Sequence, residues 1–64
     1  MDSSRYNVYL VNLEDFKAIR IIAENVSALT AQTLENETRV TEDQMAMAHP
    51  VDSSRDLELR ETLK

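Results

Sequence analysis

Cysteine and glycine are both absent from this sequence, and histidine and proline each occur once, as His49 and Pro50. Without cysteine, the chain can form no disulfide and offers no thiolate to a metal or a substrate. A lone histidine argues against a histidine-based metal site. Without glycine, left-handed turns and phosphate-binding loops lose their usual residue. We therefore expect no metal and no cofactor, and we expect helices rather than a hairpin-rich β fold.

The size of the chain limits how stable it can be alone. Its 64 residues form one domain at most, which we place at 1–64. A domain of this size buries only about 60% of the surface that its unfolded chain exposes. Small domains usually depend on disulfides, a metal or a partner subunit. Since the first two are not expected, the sequence predicts a homo-oligomer or a protein that is stabilised by a protein partner.

The charge balance is acidic, with a formal net charge of -5 and a pI of about 4.6. A surface that binds nucleic acid needs clustered Lys and Arg, whereas the seven basic residues here are scattered, so nucleic acid is not the expected partner. No segment approaches the roughly 20 apolar residues of a membrane span. No basic leader with an apolar core is visible either, so we expect a cytoplasmic protein without a membrane partner.

The segment 6–11 is rich in β-branched and aromatic residues and predicts a short strand or an extended arm. Both faces of such a strand would be largely apolar, so it would be covered on both sides or paired with another chain. The alternative is an extra turn of the helix that follows. The two faces are Tyr6, Val8 and Leu10 on one side and Asn7, Tyr9 and Val11 on the other.

Apolar residues at spacings of three and four predict a long amphipathic helix, with Asn12 as its N-cap. These residues are Leu13, Phe16, Ile19, Ile22, Val26 and Leu29. The main helix is expected over 13–34. Because the apolar stripe becomes polar after Leu29, the helix either continues with a weak face or breaks near Asn25, in which case Ser27 caps a second helix.

A second start signal lies at Thr41 and Gln44, which have the spacing of a capping box. Val40 and Met45 stand where a hydrophobic staple would flank it. The pattern predicts a short helix over 42–48. It would end before Pro50, because the residue before a proline is pushed out of the helical region.

The tetrapeptide Asp-Ser-Ser-Arg occurs twice, at 2–5 and at 52–55. In the second copy, Ser53 precedes Asp56 by three residues, which is again the spacing of a helix cap. Leu59 and Leu63 would share one face of a C-terminal helix or tail over 54–63. The tetrapeptides are interpreted as local start signals rather than as reactive sites. The predicted fold class is mainly α: a short strand or arm, a long amphipathic helix and one or two short helices.

No catalytic constellation is recognisable in the sequence. A serine nucleophile needs a base within hydrogen-bonding distance, and nothing in the spacing links His49 to a serine. We therefore expect a non-enzymatic protein that acts by protein–protein binding, as an accessory subunit, inhibitor or adaptor of a larger protein. Aromatic and methionine residues are enriched at interface cores. The partner-binding candidates are Tyr6, Tyr9, Phe16 and Met47.

Residues 6–40 also resemble the ribbon-helix-helix family, with a strand over 7–11, a cap at Asn12, a first helix to Glu24 and a turn at Val26–Ser27. The resemblance implies a DNA-binding regulator that dimerises through a two-stranded ribbon and reads the major groove with outward residues of that ribbon. Its acidic tail would be similar to the toxin-binding tails of antitoxins in this family. The apolar ribbon favours the protein-binding hypothesis over this alternative.

Overall fold

The computed structural model describes residues 4–63 and contains a three-stranded antiparallel sheet with two short helices. The strand order is β2-β1-β3, so the first strand is central. The expectation of a mainly α fold is therefore wrong. The elements are β1 (Arg5–Asn12), β2 (Lys17–Ser27), α1 (Ala28–Glu37), β3 (Gln44–Pro50) and α2 (Ser54–Thr62).

The central strand β1 is buried on both faces, as its sequence suggests. Val8, Tyr9 and Val11 have no exposed surface. Such a strand needs backbone partners on both edges, because unpaired buried amide groups are costly. Both partners belong to the same chain: β2 pairs with one edge and β3 with the other. The strand thus needs no second subunit to complete its hydrogen bonds.

The long helix predicted over 13–34 is wrong, because 17–27 form the strand β2. This strand has 11 residues against 8 in β1, and three register shifts absorb the three extra residues. Each bulge adds one residue to the alternation of a strand, so spacings of two become spacings of three. The apolar residues at 19, 22 and 26 therefore imitate a helical stripe. Their β-branched side chains fit a strand better.

Asn12 does not cap a helix but shapes the turn between β1 and β2. Its side-chain oxygen accepts a hydrogen bond from the backbone N–H of Glu14 at 2.9 Å. Its backbone carbonyl accepts one from the N–H of Phe16 at 2.8 Å. Asparagine captures nearby N–H groups in turns as readily as at helix starts. The signal at Asn12 was therefore real, but it marks a hairpin.

The helix α1 begins where one of the two alternatives put a second helix. Ser27 is its N-cap, and the serine hydroxyl accepts a hydrogen bond from the N–H of Thr30 at 3.2 Å. The helix packs on one face of the sheet, where Val8, Ala31 and Ala46 form a small core. Two of these three residues are alanines, which allow the helix and the sheet to approach closely.

The short helix predicted over 42–48 is also wrong, since Gln44–Pro50 form β3. The N–H of Gln44 does bond to the Thr41 carbonyl at 3.1 Å, but this turn leads into a strand. Met and Ala have good helix propensity, and tertiary pairing overrides it here. Pairing from Tyr6↔Pro50 to Asn12↔Gln44 satisfies the second edge of β1.

The helix α2 lies on the opposite face of the sheet from α1. Leu59 packs there against Tyr9, Val11 and Ala18. The cap expected at Ser53 is confirmed, since its hydroxyl accepts a hydrogen bond from the N–H of Asp56 at 3.2 Å. Of the first copy of the tetrapeptide, Asp2 and Ser3 lie outside the described residues and Arg5 begins β1. The two copies therefore precede different kinds of element.

A buried carboxylate joins α2 to the central strand. Asp56 is 1% exposed, and its Oδ1 accepts hydrogen bonds from the Tyr9 hydroxyl and, at 2.9 Å, from Asn7 Nδ2. Its Oδ2 accepts the backbone N–H of Asp52 at 2.9 Å. Asn7 Oδ1 in turn accepts the N–H of Asn25 at 2.9 Å, at a bulge of β2. One network thus connects β1, β2, the turn before α2 and the helix itself.

Two forces act on the ionisation of Asp56. Burial disfavours its charged form, but the donors Tyr9, Asn7 and the Asp52 N–H and the charge of Arg60 outweigh burial. The pKa of Asp56 therefore lies below its ordinary value of 3.8. Burial, together with the hydrogen bond to Asp56, raises the pKa of Tyr9 above 10.0. The pair thus favours an ionised carboxylate beside a neutral phenol across the physiological pH range.

Replacing Asp56 by Asn should destabilise the fold by about 1–3 kcal/mol. The amide has one oxygen that accepts hydrogen bonds where the carboxylate has two, so at least one donor of the cluster loses its partner. Urea unfolding followed by circular dichroism measures this loss. Glu24→Gln is the control, since it neutralises an exposed carboxylate of β2 that pairs at 2.6 Å with Arg60 of the same helix and leaves the Asp56 carboxylate in place. An equal loss in both variants would contradict a special role for Asp56.

The stability of the protein should also depend on pH through this pair. Because the pKa of Asp56 is lower in the folded state, its contribution is complete above about pH 5 and is lost as the pH falls through the folded pKa. Because the pKa of Tyr9 is higher in the folded state, its contribution is complete below pH 10.0 and is lost as the pH rises through the folded value.

Urea unfolding at a series of pH values tests both limbs of this dependence. Asp56→Asn should flatten the acid limb and Tyr9→Phe the alkaline limb. An acid limb of unchanged steepness in Asp56→Asn would show that other carboxylates cause it.

Candidate functional site

The buried cluster around Asp56 holds an acid and a phenol side by side. Within residues 4–63, every buried side-chain nitrogen or oxygen atom has a hydrogen-bond partner. Asp56, Tyr9 and Asn7 use theirs on one another and on the backbone. The three side chains are at most 2% exposed, and their bonds join α2 to the sheet.

A groove on the same face of the sheet is open instead. The helix α2 covers β1 and part of β2 and leaves a cavity of about 210 Å³ between itself and β3. The floor comes from alternate residues of β3 and one wall from α2. The lining residues are Phe16, Met47, His49, Arg55, Glu58, Leu59 and Thr62.

Two contacts hold α2 as the wall of this groove. Asp56 fixes its first turn to Tyr9, as described above. At the other end, the Thr62 hydroxyl accepts a hydrogen bond from the backbone N–H of Ala18 at 2.7 Å. The helix is therefore attached at both ends, and the width of the groove follows from these attachments.

Phe16 occupies an unusual backbone position at the end of the β1–β2 turn. Its φ of 56° lies in the left-handed region, which is unfavourable for a bulky residue and which glycine or asparagine would adopt more easily. The side chain is nevertheless 55% exposed, so packing within the chain does not explain the choice of phenylalanine. The turn holds an aromatic ring at the mouth of the groove at a cost in backbone energy.

Met47 lies on the groove side of β3. Met45, two residues before it, lies on the same face because side chains alternate along a strand. Met47 is half-buried, whereas Met45 is 48% exposed. Methionine side chains are flexible and polarizable and adapt to the shape of a ligand. The two residues thus extend an apolar strip from the groove towards the end of the sheet.

The groove brings together two of the four binding candidates and separates the other two. Phe16 and Met47 both line it. Tyr9 is fully buried under α2, with its hydroxyl bonded to Asp56. Tyr6 is half-buried on the opposite face, against the core under α1. Of the four candidates, Phe16 and Met47 are thus the two that lie at the groove.

Sequence reasoning missed the polar part of the groove. His49 and Arg55 supply nitrogen donors, and Glu58 supplies a carboxylate. The alternation of Met45, Met47 and His49 would have placed them on one face if 44–50 had been recognised as a strand. No sequence signal indicates that α2 crosses over this face, because that depends on the buried contacts of Asp56.

Within 4–63, His, Asp and Glu form no group of three or more that could hold a metal ion. The groove is also smaller than the roughly 300–1,000 Å³ of typical small-molecule sites. Its volume suits one large side chain better than a cofactor. Neither helix in this part of the chain is long and apolar enough to cross a membrane.

Comparisons with known proteins leave the geometry as the only guide to this site. No protein-family model, no curated protein and no solved structure matches the chain.

Proposed function

We propose that this protein is a small non-enzymatic binding protein that acts as an accessory subunit, inhibitor or adaptor of a larger protein. The groove between α2 and β3 receives one large apolar side chain of the partner, with Phe16 and Met47 as the contacting residues. The cytoplasmic location expected from the sequence belongs to the same proposal.

The position of Phe16 carries the proposal. A bulky residue held in the left-handed region costs about 1–3 kcal/mol, and such strain concentrates at functional sites. The chain contains a single phenylalanine, and it stands at this position with more than half of its surface exposed. Selection for folding alone would favour asparagine or glycine here, so a contact outside the chain accounts for the ring.

The surroundings of Phe16 support docking rather than chemistry. The cavity combines the apolar residues Phe16, Met47 and Leu59 with a few polar groups, which is the pattern of a pocket that receives an anchor residue. A partner side chain would be desolvated between Phe16, Met47 and Leu59. The polar groups His49, Arg55 and Glu58 would then bond to polar groups of the partner that flank this side chain.

No observation favours the ribbon-helix-helix alternative. In that family the strand is followed by a helix, whereas β1 is followed by β2. The residues that would read DNA are turned inward, since Asn7 and Tyr9 are 2% and 0% exposed and both bond to Asp56. The protein-binding proposal therefore stands without a second candidate.

Phe16→Asn should leave the free energy of unfolding within about 1 kcal/mol of the wild-type value or raise it, because asparagine tolerates the left-handed region. Urea unfolding gives this value directly. Leu59→Ala is the control for a buried residue of the same groove and should cost about 2–5 kcal/mol. A loss of about 3–5 kcal/mol in Phe16→Asn would show that the ring is a core residue.

Selection of random peptides displayed on phage tests the proposed function without a known partner. Wild-type protein serves as bait, and phages that bind the Phe16→Asn variant are removed in each round. We expect the surviving peptides to share a large apolar residue and to lose binding when that residue is changed to alanine. If no peptide distinguishes wild type from a folded Phe16→Asn variant, the proposal is wrong.

A further inference from the structure

The end of the sheet beside Phe16 combines apolar and acidic side chains. The β1–β2 turn and the loop before β3 meet there, since the N–H of Leu13 bonds to the Asp43 carbonyl at 2.8 Å. Leu13, Phe16 and Met45 are exposed to 37%, 55% and 48% of their surfaces. Four exposed carboxylates lie in the same turn and loop; we call this set the acidic rim: Glu14, Asp15, Glu42 and Asp43.

The positive charge at this end is small. The basic residues of these two connections are Lys17, which follows the turn, and Arg39, in the loop before β3, and the backbone N–H of Lys17 bonds to Asp15 at 3.1 Å. The rim carries four formal negative charges against these two. Exposed charges of one sign around an apolar patch steer a partner of the opposite sign and disfavour like-charged ones.

We propose that the occupant of the groove is a cationic amphipathic helix of a partner protein, which places one large apolar residue beside Phe16 and Met47 and its Lys or Arg residues against the acidic rim. This inference rests on the proposed function and adds the chemistry of the partner. A second copy of the chain is a poor occupant, because each copy would bring its own acidic rim to the contact.

The edge of β3 argues against a partner that adds a strand. The backbone N–H and C=O groups of odd-numbered residues in β3 point towards β1, as the bond from the Val51 N–H to the Arg5 carbonyl shows. The backbone groups of even-numbered residues therefore point outward, at the free edge of the sheet. Of these, the N–H of Gln44 is bonded to Thr41 and that of Ala48 to Glu35 Oε2 at 3.1 Å. Pro50 has no N–H. Three of the four outward positions of β3 thus offer no free N–H to an added strand, and a helix that docks through side chains fits this edge better.

Two synthetic peptides of about 18 residues, long enough to form helices, test the inference. Both carry leucine on one face; one carries lysine and the other glutamate at every polar position. Isothermal titration calorimetry should show binding of the leucine/lysine peptide, weaker at high salt because the rim is exposed. Phe16→Asn should abolish this binding in a folded protein.

Neutralising the acidic rim isolates the charge contribution. The variant Glu14→Gln/Asp15→Asn/Glu42→Gln/Asp43→Asn should bind the leucine/lysine peptide on the order of tenfold more weakly, since several exposed ion pairs each contribute a small amount. Asp43→Asn and Asp52→Asn form a matched pair that removes one carboxylate from either end of β3. Only the first should weaken binding.

The outcomes separate the inference from the proposed function. If the leucine/glutamate peptide binds as tightly as the leucine/lysine peptide and its binding depends on Phe16, the groove docks apolar residues but the inference of a cationic partner is wrong. If neither peptide binds in a Phe16-dependent manner, the inference is wrong and the peptide selection decides the proposed function alone. A Phe16-dependent dimer in sedimentation would replace the partner helix by a second copy.

Discussion

The carboxylate of Asp56 is the group on which the arrangement of this small protein depends. A buried charge is costly unless donors replace the water that it loses. Here three donors do so, from two positions of β1 and from the turn before α2. Removing any one of them would leave part of the charge unsolvated inside the protein. The interaction therefore stabilises one placement of α2 against the sheet over all others.

The need for such a polar attachment follows from the composition of α2. Its sequence, Ser54–Thr62, buries one apolar side chain, Leu59, while Leu57 is 49% exposed. Hydrophobic packing alone would hold such a helix weakly and without a fixed direction. Asp56 supplies the direction, and because it is also the residue whose N–H bonds to the Ser53 cap, helix start and helix placement are set by the same residue. The groove between α2 and β3 is a consequence of that placement.

Short sequence patterns predicted helix caps correctly but did not predict which segments pair as strands. The caps at Ser27 and Ser53 depend on nearby residues, and the structure contains both. The apolar composition of 6–11 also predicted the burial of this strand on both faces. The helix over 13–34 failed because bulges in β2 imitate a helical period, and the helix over 42–48 failed because β1 needed a second edge partner. Both errors arise from long-range pairing, which no short stretch of sequence encodes.

The candidate site was predictable only in part for the same reason. Phe16 and Met47 stood out by residue type, but their meeting in one groove requires the β1–β2 hairpin and β3 to be side by side. Tyr9 was chosen on the same grounds, and the structure turns it inward to Asp56. No local sequence signal distinguishes Tyr9, which supports α2 from below, from Phe16, which lies at the mouth of the groove.

Hydrogen exchange of the backbone amides in native protein tests the role of Asp56 most directly. In Asp56→Asn, amides of α2 should exchange through a local opening while those of β1 remain protected, because the helix loses its attachment and the sheet does not. In the wild type, α2 should open only at a much higher free energy. Equal protection of α2 in both proteins, in an Asp56→Asn variant that is otherwise folded, would contradict the account.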